Sequence, residues 1–454
     1  MSNTIVQENK MGVMPIPKLL ISMSLPMVIS MLVQAFYNIV DSMFVAQMNE
    51  EALTAISLAF PIQNLMIAVA AGTGVGINAL LSRSLGERKF EDANKIAANG
   101  VFLALISAAV FALLGGIGSR FFFIAQTDDP LIVEYGTQYL TIITVASLFV
   151  FLQITYERLL QSTGKTIFNM ITQGTGAIIN IILDPIFIFG YFGLPAMGIA
   201  GAALATVTGQ IIAFGIAIVL NHKYNKEIRI NLRRFRPDKE IIGRICAVGI
   251  PSVIMMCVGS VMTTSMNKIL NGFSDMATSV FGVYFKLQSF VFMPIFGLNN
   301  GLVPIIAYNY GAKKRKRMLG ALKTACLIAI CFMALGLVLM QIFPSTLLRL
   351  FDAQEEMLAI GTVALRIISL SFIFAGVCIV TGSTFQALGF GTYTMITSIC
   401  RQLVVLLPAA YLFSLSGNVN LVWWAFPLAE IMSVLVTAIM FIRINKNIIS
   451  KIPE

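Results

Sequence analysis

The chain has few charged residues and only one histidine. Charged side chains make up 11% of its 454 residues, whereas soluble domains carry about 25%. Hydrophobic residues make up 57%, and the mean hydropathy is +0.86. This composition predicts an integral membrane protein. The single histidine, His222, lies in a basic loop. A membrane enzyme would need a His/Asp or Ser/His/Asp cluster, so we expect no enzymatic activity.

The sequence also lacks disulfide, metal-binding and secretory patterns. Its six cysteines lie in apolar runs of the C-terminal half without CxxC or metal-ligand spacing. The first 17 residues are polar, and the apolar run after them is too long for a signal-peptide core. The net charge of +10 is confined to loops on one side, which argues against a nucleic-acid partner. We expect no cofactor and a monomer in a lipid bilayer.

Twelve apolar runs are long enough to cross a bilayer as helices, which takes about 20 residues each. Lys and Arg are concentrated in the even-numbered loops, including Arg233 and Arg234 after run 6, whereas the odd-numbered loops carry acids such as Glu50 and Asp352. Because basic loops face the cytoplasm, both termini should be cytoplasmic. The predicted spans are 18–46, 52–82, 94–119, 131–156, 163–190, 197–221, 241–271, 277–308, 319–343, 357–380, 385–413 and 421–443.

The two halves of the chain repeat each other at an offset of 225 positions. Identical residues recur at that offset along most of both halves, as in the pairs Pro26 and Pro251, Gln63 and Gln288, Gly72 and Gly297, and Gly164 and Gly389. Each half contains six spans, so we predict an all-α fold of two six-helix lobes in a parallel repeat around a central cavity. The predicted domains are an N-terminal lobe at 1–221, a cytoplasmic linker at 222–240 and a C-terminal lobe at 241–454.

Two carboxylates, Asp41 and Asp184, interrupt apolar spans 1 and 5. Acids at such depth are costly and usually functional. Gln34 and Asn38 share a helical face with Asp41, and Asn180 precedes Asp184 by one turn. We predict that the two acids meet. Because two close carboxylates cannot both ionise cheaply, one would bind a proton, or a cation such as Na⁺ would neutralise the pair. The alternative is that both acids lie near helix ends and reach water or form structural pairs.

The repeat shows that the acids are not required by the architecture, because Asp41 maps to Met266 and Asp184 maps to Ala409. The C-terminal half has its own intramembrane charges, and three of them could pair there: Lys286, Arg401 and Glu430. Such a pairing is mainly a structural expectation, although a second ion or substrate site stays open.

Three motifs resemble those of the multidrug and toxic compound extrusion (MATE) transporters, in their prokaryotic branches. They are Leu25-Pro26, Tyr37-Asn38 with Asp41, and the segment 180–185. Transporters of this family export organic, often cationic, compounds in exchange for H⁺ or Na⁺. The resemblance implies a cation site formed by Asp41, Tyr139, Asn180, Asp184 and Thr206. Of these, Asp41, Asn180 and Asp184 would bind Na⁺ if Na⁺ is the coupling ion.

The resemblance further implies that Pro26 lets helix 1 bend, and that Gln34, Tyr37 and Asn38 belong with it to the substrate cavity or gate. One family feature is missing. Some branches carry a Glu in helix 7 and an Asp in helix 10 as a second cation site, but 245–270 contains no acid and the body of span 10 offers only Arg366. The lack of these two acids therefore favours the N-terminal lobe as the location of the cation site.

We therefore expect a secondary active antiporter that exports small amphiphilic compounds across a bacterial or archaeal plasma membrane. A lipid-linked saccharide flippase of the same broad fold is the first alternative, but it would need a strongly basic cavity. A passive channel is disfavoured by the asymmetry of the two halves. The sequence leaves the choice between H⁺ and Na⁺ open.

Overall fold

The structure, a computed structural model, describes residues 8–230, 235–351 and 353–453. Arg233, Arg234 and Asp352 lie outside these ranges. Within them the chain is helical throughout, without a strand. The long helices are α1 (Ile16–Ala46), α2 (Glu50–Gly86), α3 (Phe90–Ile124), α4 (Pro130–Val145), α5 (Ser147–Ser162), α6 (Thr166–Phe189), α7 (Ile199–Tyr224), α8 (Lys239–Asn271), α9 (Asp275–Gly311), α10 (Arg315–Ile342), α11 (Glu355–Ser369), α12 (Phe372–Ala387), α13 (Gly391–Ser414) and α14 (Ala425–Asn447).

These helices confirm the twelve predicted spans. Ten of them are each long and apolar enough to cross a membrane, and two bent pairs supply the remaining spans. The pairs are α4 with α5, bent by 46°, and α11 with α12, bent by 47°. Several helices extend a few residues beyond the predicted limits, because amphipathic end turns continue the backbone hydrogen bonding past the apolar run. The six cysteines are free thiols; Cys378 is buried, Cys331 is exposed and the other four are partly buried.

The repeat is visible in the backbone as well as in the sequence. Asn49 caps α2 by accepting a hydrogen bond from the Ala52 N–H at 2.8 Å, and Ser274, 225 positions later, caps α9 by accepting from the Ala277 N–H at 3.1 Å. Two pairs of residues at the same offset have positive φ: Arg88 (60°) with Lys313 (57°), and Gly164 (84°) with Gly389 (92°). Because few residues adopt positive φ, the matching turns confirm the two six-helix halves.

The helices form two compact units. Each of the two boundaries between them falls inside a helix and close to a proline, and the repeat relates the two prolines to each other. The N-terminal unit is Leu25–Val253, and the C-terminal unit comprises the described residues before and after it. Pro26 in α1 and Pro251 in α8 lie within two residues of the two division points. A proline inside a helix removes one backbone hydrogen bond, which is a common cause of bending.

The described parts of the predicted linker, residues 222–230 and 235–240, belong to the N-terminal unit and hydrogen-bond its helix α3. The backbone N–H of Arg229 donates to Asn94 Oδ1 at 2.7 Å, and that of Asp238 donates to Asn99 Oδ1 at 3.0 Å. Both acceptors lie on α3. The predicted domain limits themselves stay a prediction.

Candidate functional site

Two small residues bring α6 and α7 into backbone contact within the N-terminal unit. A Cβ added to Gly209 on α7 would lie 2.7 Å from the carbonyl oxygen of Gly176 on α6. Small residues at such positions allow helices to approach closely in membranes. The approach places Asn180 beside Thr206, and its Nδ2 donates to Thr206 Oγ1 at 3.3 Å and to Asp184 Oδ1 at 3.4 Å. Three of the predicted cation-site residues are thereby brought together.

The structure also brings the two acids of spans 1 and 5 together. The carboxyl groups of Asp41 and Asp184 lie within hydrogen-bonding reach of one another. The Asp184 side chain has no exposed surface, whereas Asp41 is half-buried. Two neighbouring carboxylates at a site of this kind repel each other unless a proton or a cation lies between them.

Three buried oxygen atoms of this cluster have no hydrogen-bond donor: Asp41 Oδ1, Asp184 Oδ2 and Asn180 Oδ1. A buried acceptor without a partner is unfavourable. Carboxylate and amide oxygens are the ligands that hard cations prefer, and a carboxylate oxygen can also bind a proton. The donor set therefore fits H⁺ or Na⁺. Among the described residues, no group of three or more His, Cys, Asp or Glu side chains is placed to hold a metal ion.

Two tyrosines and their glutamine partners surround the acids. Tyr139 on α4 is buried and lies close to Gln63 on α2, while Tyr37 on α1 lies close to Gln34. The carboxyl group of Asp41 lies near both tyrosines. The predicted Tyr139 is thus close to the acid pair.

Asn38 and Pro26 are not brought to the acid pair. At 100° per residue, Gln34 lies about 20° from the Asp41 direction and Asn38 about 60° from it on the same side, whereas Tyr37 lies about 40° away on the other side. The Asn38 side chain is exposed there. Pro26 precedes Asp41 by fifteen residues, about 22 Å along the helix. The gating role of Pro26 stays a prediction.

A cavity of about 180 Å³ opens beside this cluster within the N-terminal unit. Its wall is partly polar, and the polar side chains come from α1, α2, α5, α6 and α7: Gln34, Tyr37, Gln63, Gln153, Glu157, Arg158, Gln173, Asn180, Thr206 and Gln210. Because Gln34, Tyr37, Asn180 and Thr206 are among them, the cavity borders the cluster around the acid pair, although neither Asp41 nor Asp184 lines it.

Glu157 is the residue that the sequence analysis missed. The predicted fourth span ended at residue 156, so this acid was assigned to a loop, but α5 continues to Ser162 and buries it. A signal was available in the sequence, because Gln153, Glu157 and Gln161 recur every four residues and form a polar stripe on one helical face.

In the C-terminal unit, two of the three charges considered for pairing do meet. Arg401 Nη1 lies 3.5 Å from Glu430 Oε2. Lys286 is exposed, and its Nζ instead lies 5.7 Å from the centre of the Phe351 ring, a cation–π distance.

The profile of the MatE family matches residues 26–186 and 251–412, which is most of the chain and one segment from each half. The chain belongs to the MatE family. It is therefore a multi-pass membrane transporter, as the sequence analysis predicted, and the resemblance to MATE transporters is confirmed.

Relatives and solved structures of the family agree with this assignment. The chain is 27% identical to the multidrug export protein MepA of Staphylococcus haemolyticus over 412 residues, which cover 89% of each chain. It is 26% identical to the FAD transporter of Shewanella oneidensis over 425 residues, 92% of each chain. A multidrug resistance MATE transporter solved in an outward-facing conformation is 25% identical and superposes with a TM-score of 0.90, covering 98% of this chain and 99% of that one.

Proposed function

We propose that this MatE transporter is a multidrug efflux antiporter that exports small amphiphilic, often cationic, compounds in exchange for H⁺ or Na⁺. The observation that carries the proposal is the buried carboxyl pair with its undonated oxygens, formed by Asp41 and Asp184 beside Asn180. Binding of one positive ion would neutralise the pair, and its release would restore the repulsion. The cation site comprises these residues with Tyr139 and Thr206.

The energy comes from the ion gradient. When one net elementary charge moves inward, as in exchange of one ion for a neutral compound, a potential of about 100 mV supplies about 2.3 kcal/mol, which corresponds to a concentration ratio of about fifty. A pH or Na⁺ difference adds to this. We infer that the chain lies in a bacterial or archaeal plasma membrane as a monomer with both termini in the cytoplasm, since the basic loops would then face inward.

The polarity of the cavity supports export of cations over transport of anions. Arg158 is the one basic side chain among the described residues that line it, whereas Glu157 and the nearby acid pair are negative. A lipid-linked saccharide flippase would have to accommodate a pyrophosphate. The Shewanella relative named as an FAD transporter makes a dinucleotide the second candidate substrate. The negative acids at the cavity would repel the pyrophosphate of a dinucleotide as they would repel that of a lipid-linked saccharide.

The experiment is uptake into proteoliposomes that contain the purified full-length chain. Vesicles loaded either with Na⁺ or with acid are diluted into medium that lacks the gradient ion, and accumulation of external tetraphenylphosphonium, ethidium or FAD is followed. We expect one of the two gradients to drive uptake of the cations but not of FAD, and an ionophore that collapses the gradient to abolish it. Uptake that neither gradient accelerates would refute antiport.

A further inference from the structure

The cavity of the N-terminal unit contains an acid that the ion site does not use. Glu157 lies on α5, and its side chain is 2% exposed. It receives hydrogen bonds from Gln173 Nε2 at 2.8 Å, Gln153 Nε2 at 3.0 Å and Thr172 Oγ1 at 3.1 Å. In all three contacts the neighbouring group is the hydrogen-bond donor. An ionised carboxylate only accepts hydrogen bonds, so this surrounding suits the negatively charged form.

Glu157 has no direct ion pair among the described residues, although the charge of the adjacent Arg158 acts on it from a distance. Its three hydrogen-bond partners are uncharged, and the adjacent Arg158 directs its Nη1 to Gln161 Oε1 at 2.7 Å. Among the residues that the structure describes, no Lys or Arg nitrogen lies within 4.0 Å of the Glu157 carboxylate. Buried charges in proteins are normally paired. The Glu157 carboxylate therefore lacks a cation in direct contact with it.

The carboxylate lies beside open space rather than in a closed core. Glu157, Gln153 and Gln173 all line the cavity. Gln153 Oε1, a buried acceptor, has no donor. The cavity wall at this point therefore offers a negative charge and an additional acceptor, which together suit a positively charged group.

The acid is separated from the ion site along the helices. Gln173, which holds Glu157, precedes Asn180 by seven residues on α6, so the two lie on the same face about 10 Å apart along the axis. The same cavity reaches both. In the predicted orientation Glu157 would occupy the cytoplasmic end, where a compound awaiting export enters.

We propose that Glu157, oriented by Gln153, Thr172 and Gln173, recognises the positively charged group of the substrate, an organic ammonium or an aromatic cation. This site is distinct from the Asp41–Asp184 ion site. The inference rests on the proposed function, because it assigns the substrate's charged end a place in the transporter's cavity.

The test measures equilibrium binding of tetraphenylphosphonium, whose charge does not titrate, to the purified full-length protein. Glu157→Gln removes the charge but keeps the shape, and Glu157→Asp keeps the charge on a shorter side chain. The matched control is Glu134→Gln, which makes the same change at an exposed acid of α4. We expect Glu157→Gln to weaken binding of tetraphenylphosphonium by about tenfold or more, as for the loss of a charge-assisted contact. Glu157→Asp should weaken binding less, and the control should bind as the wild type does.

A second readout separates recognition from structure. Gradient-driven uptake of a neutral amphiphile by Glu157→Gln should stay within about twofold of the wild type, because the ion site is untouched. Wild-type binding of tetraphenylphosphonium by Glu157→Gln would overturn the inference. Equal weakening of binding by Glu157→Gln and Glu157→Asp would also overturn it. Equal losses of uptake for cationic and neutral substrates in Glu157→Gln would overturn it as well. If the wild type binds the cation but neither gradient drives uptake, antiport fails while the binding comparison still decides the role of Glu157.

Discussion

Helix α6 of the N-terminal unit and helix α13 of the C-terminal unit occupy the same place in the repeat but bury different groups. Helix α6 is α-helical from Thr166 to Phe189 and contributes Asn180 and Asp184 to the ion site. In α13 the matching positions are Val405 and Ala409, and the residues Cys400–Leu406 form a π-helical segment. Because the two helices match in the repeat, the polar groups that only α6 carries at these positions are not required by the shared backbone.

The buried charge of the C-terminal unit is arranged differently from that of the N-terminal unit. Arg401, at the start of the π-helical segment, forms an ion pair with Glu430 on α14, so opposite charges neutralise each other within the protein. Among the described residues of the N-terminal unit, Asp41, Asp184 and Glu157 form no direct ion pair with a basic side chain. A paired charge needs no ligand, whereas an unpaired acid gains from binding one. From this difference we expect a structural role for the C-terminal pair, whereas the N-terminal acids are the candidates for binding ions and substrates.

The largest effect is expected from neutralising one acid of the ion site. Asp41→Asn or Asp184→Asn should remove gradient-driven uptake of tetraphenylphosphonium, because loss of one charged partner in a buried site costs about 2–5 kcal/mol, or about thirtyfold or more in affinity. Met266→Asn and Ala409→Asn, at the matching positions of the C-terminal unit, are the controls and should leave coupling in place. Full gradient-driven uptake by Asp184→Asn would show that the pair does not couple.

A smaller effect, on stability alone, is expected from breaking the C-terminal pair. Arg401→Gln would leave the nearly buried Glu430 carboxylate unpaired and should cost about 3 kcal/mol. Glu430→Gln should cost less, because the Arg401 side chain is 26% exposed and can reach a polar environment. The double variant should recover part of the loss. The measurement is the thermal unfolding midpoint in detergent. A double variant with normal stability but no gradient-driven uptake would instead reveal a functional site in this unit.

The smallest effect is expected at a turn that both units share. Glu87 follows α2 and forms ion pairs with Arg83 at 2.9 Å and Lys89 at 2.8 Å, whereas its repeat position in the C-terminal unit is Ala312. Burial raises the pKa of the Glu87 carboxyl, but hydrogen bonds from Lys89 and Arg83 outweigh this and hold the pKa below its ordinary value of 4.5.

A lowered pKa in the folded state means that the ionised Glu87 contributes stability above that ordinary value and loses it as the pH falls through the folded pKa. Glu87→Gln should therefore cost less than about 1 kcal/mol at neutral pH, since the pairs are partly exposed. The difference from the wild type should shrink in acid. Unfolding midpoints at pH 7 and pH 4 measure it. A difference that grew in acid would contradict the assignment.

The spans, the repeat and the acid pair could all be predicted from the sequence because each depends on local or periodic properties. The length of an apolar run determines whether a helix crosses a bilayer. A carboxylate inside such a run, as at Asp41 and Asp184, stands out wherever it occurs. The constant offset of 225 positions reveals the duplication without any knowledge of packing.

Only the tertiary structure decided which polar groups face each other. The close approach of Gly176 and Gly209 sets Asn180 against Thr206, and the continuation of α5 past the apolar run buries Glu157 among side chains of α6. The exposure of Asn38, on the flank of the stripe that carries Asp41, was likewise decided by packing. Periodicity gives the face on which a residue lies, but the rotation of each helix and its distance from a neighbour depend on contacts between residues far apart in the chain.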